Sequence, residues 1–109
     1  MQIGIDSFAL AYDDASVALR PADHMRNLID QIEYADQVGL DVFGIGEHHR
    51  LDLAISSPAV VMAAIAAATT RIRLTSAVTI LSTLDPVRVF EDFATVDLVS
   101  GGRAELASS

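Results

Sequence analysis

Glu47-His48-His49-Arg50 sets a carboxylate, two imidazoles and a guanidinium side by side. An imidazole titrates near neutral pH, so such a cluster can move protons or hold an anionic intermediate. Neighbouring residues of a regular strand point to opposite faces, so in a strand only one of His48 and His49 could face a given site. That spacing argues against both imidazoles binding one metal. With no cysteine in the chain there is no thiolate site either. The competing reading is a polar, solvated strand end. A second candidate is Ser76-Ala77-Val78-Thr79, where small side chains would let a flat ligand approach the backbone; taken by itself it reads rather as an ordinary barrel layer. Asp6 reads as a structural carboxylate, and His24, in the first turn of a helix, is expected to be exposed.

The elements that must position these residues follow from periodicity. Ile3 to Leu10 is short, apolar and nearly alternating, which predicts a first strand, followed by a loop from Tyr12 to Arg20. Pro21-Ala22-Asp23 opens a helix, with Asp23 as the expected N-cap. Met25, Leu28, Ile29, Ile32, Ala35 and Val38 recur at three- and four-residue steps along one face, and Gly39 stops the helix. Asp41 to Gly46 is apolar on both sides of the pleat, as in a covered parallel sheet. Ser57-Pro58 is a cap followed by proline at the first helical position, and it leads into an alanine-rich helix that needs cover on more than one side. Ile72 to Leu81 predicts a third strand. Asp85-Pro86 opens a third helix that Ser100-Gly101-Gly102 ends, and Arg103 to Leu106 begins a fourth strand.

Strands alternating with crossover helices imply an α/β fold with a parallel sheet and right-handed connections. No glycine-rich phosphate loop follows the first strand, and Gly44-Ile45-Gly46 runs into Glu-His-His rather than a helix, so the dinucleotide fingerprint is missing. The remaining reading is a (β/α) TIM-barrel segment, β1-α1-β2-α2-β3-α3-β4. It makes residues 1–109 the N-terminal half of an eight-stranded barrel. Glu47-His48-His49 then lies at the carboxyl end of the second strand, where such barrels carry their active sites.

The composition narrows the partners. Of 109 residues 51% are hydrophobic, enough for a core, and the net charge of −8 with scattered arginines disfavours nucleic acid. No apolar run approaches the roughly 20 residues that a membrane span needs. The first residues lack the character of a signal peptide, and the absence of cysteine suits a reducing cytoplasm, the expected location.

Together, Gly46-Glu47-His48-His49, the strand Leu74 to Leu81, Asp85-Pro86-Val87-Arg88 and Asp97-Leu98-Val99-Ser100-Gly101-Gly102-Arg103 resemble the bacterial luciferase-like flavin-dependent monooxygenases. The order and spacing of these motifs match along nearly the whole chain, which corresponds to about half of a barrel of some 250 residues. The resemblance implies reduced FMN at the carboxyl mouth, or in one branch the deazaflavin F420. It also implies oxidation of a small organic substrate with O2, and an external flavin reductase. It implies that His48 is the active-site histidine, assisting the oxygen chemistry or acting as an acid/base, that Glu47 is a cofactor-side carboxylate, and that Ala77-Val78 forms a non-prolyl cis peptide under the flavin ring. Where the family continues with a glycine-containing strand end and a phosphate site, this chain has Ala107-Ser108-Ser109. Binding of flavin by these residues alone is therefore expected to be weak. A non-catalytic half-barrel that binds or assembles is the alternative, and a deazaflavin oxidoreductase of the same fold is another. An uncovered half-barrel exposes strand edges and apolar faces, so self-association to a homo-oligomer is expected in every case.

Overall fold

The computed structural model describes residues 1–7 and 20–109. Four parallel strands, β1 (Gly4–Ser7), β2 (Val42–Ile45), β3 (Arg73–Ser76) and β4 (Ala104–Glu105), alternate with helices α1 (Pro21–Gln37), α2 (Pro58–Ala68) and α3 (Pro86–Ser100). The sheet order is β1-β2-β3-β4, so every strand pairs with its neighbour in sequence. A doubly wound sheet reverses its order at a switch point. This sheet does not, and the chain forms a barrel segment.

The helix signals are local and hold. Pro21, Pro58 and Pro86 each occupy the first turn, and the Asp85 carboxylate caps α3 by accepting from the amides of Val87 and Arg88. Gly39 and Gly101 take positive φ just beyond α1 and at the end of α3. One detail of α1 differs from the sequence reading. Arg20 is its N-cap, because the Arg20 carbonyl accepts from the amides of Asp23 and His24, while Asp23 stands at N3 and receives the Arg20 amide. Residues 8–10 of the expected first strand, and most of the loop expected after it, lie outside the described residues. The third strand is shorter than its β-branched composition suggests. It stops at Ser76, and a 3-10 turn spans Leu81–Thr83.

Alternation along the strands splits the sheet into two faces. Phe43, Ile45, Leu74 and Ile72 point to the helices and meet Leu28, Ile32 and Ala35 of α1, Met62, Ile65 and Ala66 of α2, and Val96 of α3. The other, concave face carries Asp6, Gly44, Arg73, Thr75 and Glu105, with Arg73 and Glu105 paired as ions. The second face of β2 is therefore glycine and a half-buried valine rather than a helix contact. The alanine-rich α2 gains its cover from α1, α3 and β3, and leaves Val60 exposed.

Two polar groups tie the amino edge of the sheet. Asp36, buried near the end of α1, accepts from the amides of Thr70, Arg71 and Ile72 and from the Thr70 hydroxyl at 2.7–3.2 Å. Burial by itself would raise the Asp36 pKa, but the amides of Ile72, Thr70 and Arg71 and the Thr70 hydroxyl outweigh it and hold the carboxyl below its ordinary value. Arg103 spends its guanidinium on the end of α2, donating to the carbonyls of Ala66 and Thr69, the Thr69 hydroxyl and the carbonyls of Ile72 and Ser100. The Ala66, Thr69 and Ser100 carbonyls are acceptors that helix ends leave open, and a cation there also suits the helix dipole.

Because the folded pKa of Asp36 lies below the unfolded one, its stabilisation is present above about pH 4 and is lost as the pH falls through the folded value. Asp36→Asn offers one acceptor oxygen where the carboxylate offers two. Urea unfolding at pH 7 is expected to show it about 2–4 kcal/mol less stable than the parent. That gap should narrow below pH 4 as the parent carboxyl is protonated. A gap independent of pH would show that the charge of Asp36 is not what holds the edge.

Candidate active site

The functional candidates gather at the carboxyl edge of the sheet. After Ile45 the chain leaves β2 and runs through Gly46 and Glu47 to the two histidines, so the pleat does not govern where their rings point. They diverge nonetheless. His48 lines a small cleft on the concave side together with Asp6, Ser7, Gly46 and Ala77. The His48 amide donates to the carbonyl of Ile55 at 2.9 Å, which fixes the backbone beneath the ring. His49 turns away, and its Nε2 lies 2.8 Å from Glu47 Oε1. An ionised carboxylate can only accept, so this contact puts the His49 proton on Nε2.

Gly46 is what lets the His48 ring lie where it does. A Cβ on Gly46 would stand 2.7 Å from His48 Nε2 and 3.3 Å from its Cδ2. Gly44, one step deeper, has the same character, since a Cβ there would come within 3.1 Å of the Cβ atoms of both Asp6 and Ala77. The two missing side chains thus let His48, Asp6 and Ala77 come close over the sheet.

The opposite wall is the segment after β3. The Ala77–Val78 peptide is cis, as the family resemblance implies. Ala77 is exposed on the concave side, and Val78 is 38% exposed. The segment is pinned along its length: the Ala77 amide donates to the Ile45 carbonyl at 2.8 Å, and the Thr79 amide to the Ala107 carbonyl at 2.7 Å. Ser76, fully buried, donates through its hydroxyl to the same Ala107 carbonyl and accepts the Ala107 amide. Only Ser76 of the stretch Ser76 to Thr79 belongs to the regular strand, so the expectation that all four lie inside β3 is corrected.

Glu47 occupies a different position from His48. Its side chain is wholly buried and its three partners are protein groups: His49 Nε2, the Ile80 amide at 3.1 Å and the Thr83 hydroxyl at 3.3 Å. Asp6, read as structural, is exposed and stands on the cleft beside His48. His24, expected to be exposed, is half-buried, with an Nε2 that meets no partner among the described residues. Among the described residues, no three His, Asp or Glu side chains cluster as metal ligands, and no helix is long and apolar enough to cross a membrane. Sequence reasoning missed Gly46 as a steric partner of His48, and Ile80 and Thr83 as partners of Glu47. The glycine directly before Glu-His-His was the one signal available.

The cleft is thus bounded by small residues, with the His48 imidazole and the Asp6 carboxylate on its lining. Comparison with known proteins places the chain in a family. Residues 4–107 match the model of the luciferase-like monooxygenases. The N-acetyl-S-alkylcysteine monooxygenase of Bacillus subtilis is 31% identical over 86 residues, which is 78% of this chain and 26% of that protein. The uncharacterised protein y4vJ of Sinorhizobium fredii is 35% identical over 86 residues, again 78% of this chain and 24% of the relative. Among solved structures, apo-MsnO8 superposes with a TM-score of 0.88 at 29% identity, over 98% of this chain and 32% of its own. The FMN complex of the oxygenating constituent of 3,6-diketocamphane monooxygenase from Pseudomonas putida gives 0.86 at 22% identity, over 100% and 29%. The coenzyme F420-dependent tetrahydromethanopterin reductase of Methanopyrus kandleri gives 0.75 at 24% identity, over 98% and 26%. The last two likenesses speak for the fold alone. The chain spans about a quarter of the curated relatives it matches and about a third of the structures. On the family match along nearly its whole length, the chain belongs to the luciferase-like monooxygenases.

Proposed function

We propose that this chain supplies the first four strands of a flavin-dependent monooxygenase barrel and carries its acid/base histidine, His48. The observation that supports the reading is the convergence of His48, Gly46 and Ala77 on one cleft at the carboxyl edge of the sheet. Ala77 and Val78 form the shelf for the ring of reduced FMN, and Gly46 leaves room for the His48 imidazole beside it. The flavin supplies the activation of O2, and an external flavin reductase supplies reduced flavin. The substrate is a small organic molecule. A deazaflavin could use the same shelf, but the match to the monooxygenase family model and to a monooxygenase relative favours FMN. The setting is the reducing cytoplasm, which suits a chain without cysteine.

The protein's own part is proton handling and exclusion of water. His48 Nε2, turned over Gly46, accepts or donates a proton beside the ring, and an imidazole is suited to both near pH 7. The pinned wall from Ser76 to Thr79 keeps the shelf at a constant distance from that atom. Such positioning matters because a displacement of about 1 Å can cost on the order of 100-fold in rate.

Anaerobic titration of reduced FMN into the purified chain tests the reading directly. Saturable but weak binding, weakened further by Ala77→Leu, is expected; absence of any binding would remove the flavin role from these residues. In the complete barrel, His48→Ala should fold normally and lose monooxygenase turnover, and unchanged turnover would take His48 out of the mechanism. Gly46→Ala, which forces the imidazole aside, should lower turnover about 100-fold with a smaller loss of flavin affinity. Equal turnover in Gly46→Ala and the parent would show that the ring position is unimportant.

The chain should also pair with a second copy. Val60 on α2 and Val87, Phe90 and Leu98 on α3 are all more than 60% exposed, and a self-complementary contact would bury them twice over. Light scattering should give a dimer mass that Phe90→Glu converts to monomer; a monodisperse parent monomer at high concentration would overturn this.

A further inference from the structure

We propose that Glu47 is a positioning residue: it serves the site by bracing the loop after the cis peptide against the histidine loop, and does not touch the cofactor. The proposal rests on the flavin reading above for its purpose and on the geometry alone for its mechanics. Glu47 lies between two segments that meet only at the carboxyl edge. One is the end of β2, which bears His48 on the next residue. The other runs from Ala77 to Thr83. The side chain has no exposed surface, so the cleft cannot reach it. Oε2 receives the Ile80 amide, and Oε1 receives His49 Nε2 and the Thr83 hydroxyl. The single Thr83 proton is shared with the Ile80 carbonyl at 2.9 Å, so the firm partners of the carboxylate are His49 and the Ile80 amide.

A buried carboxylate that loses its donors is costly, far more so than a buried apolar group. The loop therefore cannot drift from β2 without stranding the charge, and that cost is what makes the brace stiff. The other pins on the wall run to Ile45 and to Ala107. Glu47 adds the pin that comes from the chain of the imidazole itself, so His48 and the Ala77–Val78 shelf share one rigid reference. His49, 47% exposed at its side chain, closes the brace from the solvent side. The pair of histidines thus divides its work, with one imidazole at the cleft and the other on the brace.

Amide hydrogen exchange and reduced-FMN titration on Glu47→Ala, Glu47→Gln and Thr83→Val separate the possibilities. Glu47→Ala should exchange the Ile80 amide at least about 10-fold faster than the parent, with β2 amides unchanged, and bind reduced FMN about 10-fold more weakly. Glu47→Gln keeps an acceptor oxygen for the Ile80 amide and should stay within about threefold of the parent on both readouts. Thr83→Val, which leaves the carboxylate and its firm partners in place, should change each by less than Glu47→Ala. If Glu47→Ala does not fold, the Gln variant decides. Retained Ile80 protection with flavin affinity lost in Glu47→Gln would mean that the charge acts on the cofactor itself, and would overturn the brace. Unchanged Ile80 exchange in a folded Glu47→Ala would overturn it as well. A parent chain that binds no flavin would defeat the flavin reading, while the exchange data would still decide the brace.

Discussion

The carboxylate of Asp36 holds together the edge of the sheet from which the strands set out. Its four donors lie on three consecutive residues, Thr70 to Ile72, directly before β3. It thereby fixes where β3 begins relative to the end of α1. In a sheet whose side chains alternate with period two, that starting point decides which residues face the helices and which face the concave side. A slip of one residue would send Leu74 to the concave side and Thr75 into the core. Arg103 repeats the arrangement one unit later, joining the end of α2 to the start of β4.

A second buried carboxylate works at the other edge, on different terms. Asp36 is satisfied mainly by backbone amides and sets register. Glu47 is satisfied by one amide and two side chains, and sets the spacing between two loops. The division follows a general property of parallel barrels, in which the amino face secures stability and the carboxyl face carries chemistry. Between the two edges the concave surface is glycine, threonine and an ion pair. The core lies wholly on the helix side, so changes at the mouth need not disturb it.

What was legible in the sequence was what neighbouring residues determine. Asp85-Pro86 and Ser57-Pro58 mark helix starts because cap and proline act within a single turn, and Gly46-Glu47-His48-His49 stands out as a candidate by residue type alone. The parallel barrel order followed from alternation and the missing phosphate loop. What was hidden depends on partners far along the chain. Asp36 reaches residues 34 to 36 positions away, and Arg103 reaches back 31 to 37 positions to Ala66, Thr69 and Ile72, so neither had a local signature. Asp23 was mistaken for a cap because a carboxylate suits both N-cap and N3, and only the Arg20 carbonyl bonds distinguish them. Val78, Thr79 and Ile80 have strand composition, yet past Ser76 the pairing narrows to an isolated bridge between Thr79 and Ser108. The burial of Glu47 depends on a loop brought over it from residues 80 and 83, more than 30 positions along the chain.

The strand order has a consequence for how the protein comes into being. Each strand pairs with the one made just before it, and α2 and α3 each pack on the strand that directly follows them. Loop closures between successive strands stay near 30 to 40 residues, so none requires a distant part of the chain. A polypeptide emerging from the ribosome can therefore lay down its sheet in the order of translation. The free edge of each strand becomes the template for the strand that follows it, from β1 through to β4.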